Sequence, residues 1–352
     1  MRLAVGAGLV SALLGVAASH QITDSADFVP VPVIENNTIS PRIVYIENPR
    51  FPNLSDDEVL QIIGKSADLV REHFGLTMKV PATIGRMHID DVFLDLVGKA
   101  PKGLDEIVGD FRSDNVDWKR ARQYLVKSIG MEGNLTDQIA FAEPHLIAPL
   151  RETDTEAFAD AILETFRSRL AYWTDTTLPD GYPIIGRVPG RADLPLNEYA
   201  YWTTMAKLGT PVDIVLTNQL VASIEYMTMP VHTALRGGIT GGSTDYNPGS
   251  QLGSSVWVSV APMLMDDEQI NRLRFGKSYD RVEALRYAAI MLAHEIGHMA
   301  LHLGHPWTNS ACVMRPAELL DFATWEMSLD ASGCPIGSDP QMKIGAAKIP
   351  VW

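Results

Sequence analysis

The strongest chemical signal in the chain is His294-Glu295-Ile296-Gly297-His298. Histidines at i and i+4 stand one turn apart on one helical face, so both imidazoles can reach a single metal ion at about 2.0–2.1 Å. Glu295 lies about 100° around the helix from His294. It is off the coordination plane but within reach of a water activated there, which is where a general base belongs. A catalytic zinc site needs a third protein ligand and one open position. Three residues are candidates. His302 falls about 12 Å beyond His294 along a straight helix, so it serves only if the helix ends early. His305 sits between Gly304 and Pro306, a helix-stop signature that lets the chain bend back towards the metal. Glu318 is the carboxylate that a following helix could supply. His305 is the preferred one.

These residues need a rigid frame. Asp280, with Glu283 three residues on, forms a capping box that opens a helix running to about Ala300. Upstream, Ile43–Ile46 is a β-branched run that predicts a strand. A second capping box, Ser55 with Glu58, opens a helix whose apolar residues Val59, Leu60, Ile62, Ile63, Ala67, Val70 and Phe74 recur at helical spacing until Gly75 stops it. Residues 77–84 predict another strand, interrupted at Pro81. Residues 90–210 read as mostly helical, with segments near 114–129, 155–173 and 197–208 and a Pro/Gly-rich loop at 179–195. Residues 211–217 predict a buried strand. The glycine-dense run Arg236–Ser243 predicts a turn or edge near a cleft. It is no phosphate loop, since no GK[ST] follows it. Residues 254–260 alternate with period two and predict a strand. Placed along the cleft, that strand would take substrate backbone by strand addition.

The run 294–305, HEIGHMALHLGH, followed by Cys312-Val313-Met314, resembles the metzincin clan of zinc endopeptidases. Its pattern is a long HExxHxxGxxH helix-and-turn with a methionine turn downstream under the metal. The Cys-x-Met context is similar to that of archaemetzincins. The resemblance implies an α+β catalytic domain at 42–345, with a twisted mixed sheet, a long zinc-binding helix, a methionine turn and a large helical insertion at about 90–210. It implies one Zn2+ held by His294, His298 and His305, with Glu295 as base, Met314 as the floor under the metal and a protein or peptide as substrate. The chain departs from the pattern at Leu301, where the family has glycine. Its third histidine comes eleven residues after the first rather than ten, with Gly304 in position to take over the turn. Pro306 stands where archaemetzincins have a cysteine, so a second, cysteine-bound zinc is not implied. Two readings compete: a gluzincin-like peptidase using Glu318, and a non-catalytic secreted binding protein on a peptidase fold. The intact Glu295 speaks against the second.

The remaining sequence sets the surroundings. The 352 residues carry 29 Lys+Arg against 43 Asp+Glu, a net charge of −14, with 46% hydrophobic residues. This is globular composition. The acid excess argues against a nucleic-acid partner and against docking on anionic membrane. Residues 1–19 have one positive residue, then an apolar run ending in small residues, and read as a secretory signal peptide. Residues 20–41 read as an irregular lead-in or short propeptide. A secreted protein oxidises its thiols, and Cys312 and Cys334 pair most simply with each other. Asn36, Asn53 and Asn134 head sequons for glycosylation. His73, His88, His145 and His232 are isolated and read as surface or core residues, and Trp307 as packing.

Overall fold

The computed structural model describes residues 27–92, 117–177, 209–222 and 230–351. The proposed signal segment, the 179–195 loop and the helix expected at 197–208 lie outside the described residues. The class is mixed α and β. A five-stranded sheet comprises β1 (Ile43–Glu47), β2 (Gly85–His88), β3 (Ile214–Thr217), β4 (Gly242–Tyr246) and β5 (Ser254–Ser259), in the order β2-β1-β3-β5-β4. The first four in that order are parallel, and β4 runs antiparallel to β5 at the edge. Asp213, at the entrance to β3, accepts Arg42 N at 2.7 Å and Arg42 Nε at 2.9 Å. This pins the starts of β1 and β3 together. Residues 77–84 do not form one strand. Only Thr77–Met78 pairs, with Thr38–Ile39, and the chain rejoins the main sheet as β2 after Pro81.

Helix α1 (Asp56–Phe74) starts at the predicted capping box, with Glu58 N donating to Ser55 Oγ and Ser55 N to Glu58 Oε2, and ends at Gly75 with φ 67°. The insertion supplies α2 (Trp118–Met131), α3 (Leu135–Ala142) and α4 (Thr155–Asp175). Its apolar faces, among them Leu125, Ile129, Phe158, Ile162 and Phe166, join the same core as the sheet. Gly237, at φ 71°, lets the chain after the short helix α5 (Val231–Leu235) touch α4: a Cβ there would sit 2.6 Å from Arg169 Cβ.

Helix α6 (Arg281–Leu301) begins at the Asp280–Glu283 capping box. It is buried nearly all round between the sheet, α1 and α7 (Phe322–Ser328), with only a few side chains near its start and His298 reaching solvent. A helix apolar on every face has to run through the centre of a domain. The first and last described segments meet beside it. Val29 N donates to Ile349 O at 2.9 Å and Val351 N to Asp27 O at 2.8 Å. The tail also hydrogen-bonds Leu301 O and His302 O from Gly345 N and Ala347 N. No helix among the described residues is long and apolar enough to cross a membrane.

Candidate metal centre

His294 is buried in the middle of α6, and its Nδ1 lies 2.8 Å from Val313 O. His298 Nδ1 lies 2.5 Å from Leu303 O. A carbonyl only accepts, so each Nδ1 carries the proton and each Nε2 a lone pair. His298 Nε2 is 3.0 Å from His294 Nε2 and 3.0 Å from His305 Nε2. Lone pairs at that distance repel unless a cation lies among them. Tetrahedral bonds of about 2.0–2.1 Å separate neighbouring ligand atoms by about 3.3 Å, close to what is seen. The three rings therefore fit a single borderline-soft ion such as zinc, and they can hold a metal.

The third histidine arrives because α6 stops at Leu301. His302 adopts the left-handed conformation at φ 50°, ψ 45°, and its N–H closes back onto Gly297 O and His298 O. The bend is thus at His302 and not at Gly304, and His302 caps the helix rather than ligating. Gly304 has a different task. Its N–H donates to Gln341 O at 2.6 Å, and a Cβ there would meet Gln341 Oε1 at 2.1 Å. Glu318 is absent from the trio as well. It stands 3.7 Å from His145 Nε2 and pairs with the Arg315 guanidinium at 2.6 Å, and these two neighbours hold its carboxyl down to about 2.

Glu295 is buried on the cleft wall, and its Oε2 accepts Thr244 Oγ1 from β4 at 2.9 Å. Gly242 makes this contact possible, since a Cβ there would lie 2.6 Å from both Glu295 Cγ and Oε1. Met314 is fully buried in a turn closed by Arg315 N to Cys312 O at 3.0 Å. Its Sδ lies so close under α6 that a Cβ on Gly297 would be 2.3 Å from it. Cys312 and Cys334 form a disulfide with a Cα–Cα distance of 4.8 Å, fixing that turn to the C-terminal segment. Asn36, Asn53 and Asn134 are all exposed, and Asn134 also caps α3.

The cleft has a volume of about 310 Å³ and is bounded by β4, the end of α2, α5 and the tail at Ala346–Pro350. The strand expected along it is misplaced. Residues 254–259 form β5, buried between β3 and β4, so the strand lining the cleft is β4. Burial, reinforced by neighbouring rings and, at His294 and His305, by the Arg236 guanidinium, pulls the imidazoles down: His298 and His305 to about 3, and His294 well below its ordinary value. All three are therefore neutral and ready to ligate near pH 7.

Two residues escaped sequence reasoning. His232 on α5 packs its ring edge-on against His305, with centroids 4.9 Å apart. Glu132, at the end of α2, places Oε2 3.8 Å from His305 Nδ1. Burial pushes the Glu132 carboxyl up to about 8. A single sequence holds no sign of either, because they come from segments remote from the motif. No protein-family model matches the chain, and neither a curated protein nor a solved structure is significantly similar to it.

Proposed function

We propose that the protein is a secreted zinc endopeptidase of metzincin type. One observation carries the reading: three imidazole Nε2 atoms converge in a cleft whose wall also holds a buried carboxylate, Glu295, beside an edge strand. When bound, zinc supplies the Lewis acidity that polarises a carbonyl and activates water near neutral pH. Glu295 takes the proton of the attacking water and passes it to the leaving amine. Thr244 orients that carboxylate through its hydroxyl. The substrate backbone lies along β4, the antiparallel edge, as an added strand.

The turn supports the family resemblance more closely than the bare spacing does. The family's turn glycine precedes its third histidine by three residues, and here His302, in the left-handed conformation, precedes His305 by three. The extra residue therefore falls within the helix, and the turn keeps its length. Secretion is supported by the apolar N-terminal segment and the disulfide.

The test is cleavage of a peptide library by the purified protein, run beside Glu295→Ala and a chelated sample. Cleavage is expected from the wild type alone, with zinc retained by Glu295→Ala. A wild type that binds zinc and cleaves nothing would turn the reading towards a binding protein on this fold.

A further inference from the structure

The three candidate ligands are not held alike. His294 and His298 each point Nδ1 at a main-chain carbonyl, Val313 O and Leu303 O. His305 instead turns Nδ1 towards a side chain, Glu132 Oε2, 3.8 Å away. That carboxylate oxygen is buried and has no hydrogen-bond partner. A buried acceptor without a donor costs free energy, so such groups exist where something else makes use of them. The surroundings hold Glu132 in place for this. Its own carbonyl accepts Trp307 Nε1 at 2.8 Å, two residues beyond His305, so α2 and the third-ligand turn are clasped at one point.

We propose that Glu132 is the positioning residue of His305. It accepts the Nδ1 proton, which fixes the tautomer and aims the Nε2 lone pair at the metal. His305 lies on a turn with no helix to orient it, so the carboxylate does for it what the carbonyls do for the other two. Closing 3.8 Å to a hydrogen bond of about 2.8 Å takes a shift of about 1 Å, within a side-chain adjustment. A carboxyl oxygen that accepts from the far nitrogen of a ligating imidazole also raises its basicity. The helical insertion then has a defined task, because the metal centre is complete only when α2 is docked. The inference rests on the metal-site reading above.

The test compares the full-length protein with Glu132→Gln, His305→Ala and the double variant. Zinc stoichiometry, zinc affinity by chelator competition, and the visible spectrum of the Co2+-loaded form are recorded. The wild type is expected to bind one ion per chain. Glu132→Gln is expected to weaken zinc about 10- to 100-fold and to shift the Co2+ bands, without lowering the melting temperature of the metal-free protein. In the His305→Ala background the Glu132 substitution should cost nothing more. Unchanged affinity and spectrum in Glu132→Gln would overturn the proposal, as would an equal loss in the His305→Ala background. Two ions in the wild type, one of them lost with Glu132→Gln, would overturn it differently, making Glu132 a ligand in its own right beside His232. A wild type that takes up no zinc would sink the metal-site reading itself.

Discussion

At the scale of single residues, the site depends on two places where the chain has no side chain to spare. Gly242 lets β4 reach Glu295, and Gly297 lets the Met314 sulfur lie under the helix. Gly242→Ala puts a methyl 2.6 Å from Glu295 Cγ, so the carboxylate must move. We expect peptide cleavage to fall about 100-fold, the usual cost of displacing a reacting group by about 1 Å. Zinc content should stay at the wild-type level, because the histidines are untouched. Steady-state kinetics with metal analysis checks both. The convergence of His294 and His298 was legible in the pentapeptide 294–298, since helical periodicity alone puts both histidines on one face. Glu132 and His232 did not. Their roles come from where α2 and α5 dock, and docking is a property of packed surfaces that a local pattern does not encode.

At the scale of elements, the two capping boxes made the ends of α1 and α6 legible, because a cap is a contact between residues three apart. The misplacement of residues 254–259 has an equally physical cause. Ser255 and Ser259 lie on the face opposite Val256 and Val258 and imitate a wet side, yet both are buried. Ser255 Oγ donates to Val212 O at 2.7 Å and Ser259 Oγ to Gln219 O, so a polar residue need not mean a solvent face. Between the two helices, Glu58 accepts Arg281 Nη2 at 2.8 Å, tying the first turn of α1 to the start of α6. Arg281, helped by the Ser55 cap, holds the Glu58 carboxyl down to about 2 from its ordinary 4.5. A depressed carboxyl stabilises the fold above its unfolded pKa and loses that contribution as pH falls through the folded one. Glu58→Gln keeps the cap but not the charge. We expect it to cost about 1 kcal/mol at pH 7. The gap to wild type should close between about pH 4.5 and 2, measured by denaturant unfolding of metal-free protein.

At the scale of the whole molecule, the sheet and the described helices of the insertion share one core, and the disulfide locks the turn that carries Val313 and Met314. Cutting that lock with Cys334→Ala should remove about 3 kcal/mol, the entropy of a closed loop of this length. It should also weaken zinc, because Val313 O orients His294; urea unfolding and chelator competition read the two losses separately. The class of fold was readable from the order of periodic segments, whereas the closure of the cleft by residues 346–350 was not. Those residues carry no motif, and their partners lie at the end of α6 and near residues 27–29, far away in the sequence. The pairing of Phe28 with Pro350 joins the two ends of the described residues. Loop-closure entropy makes such a contact the last to form, and short terminal pairings open at low free energy. That stretch of the cleft wall is thus held by a few terminal hydrogen bonds and by the end of α6. On the proposed peptidase reading, the breathing of those few terminal hydrogen bonds gates the entry of a long polypeptide.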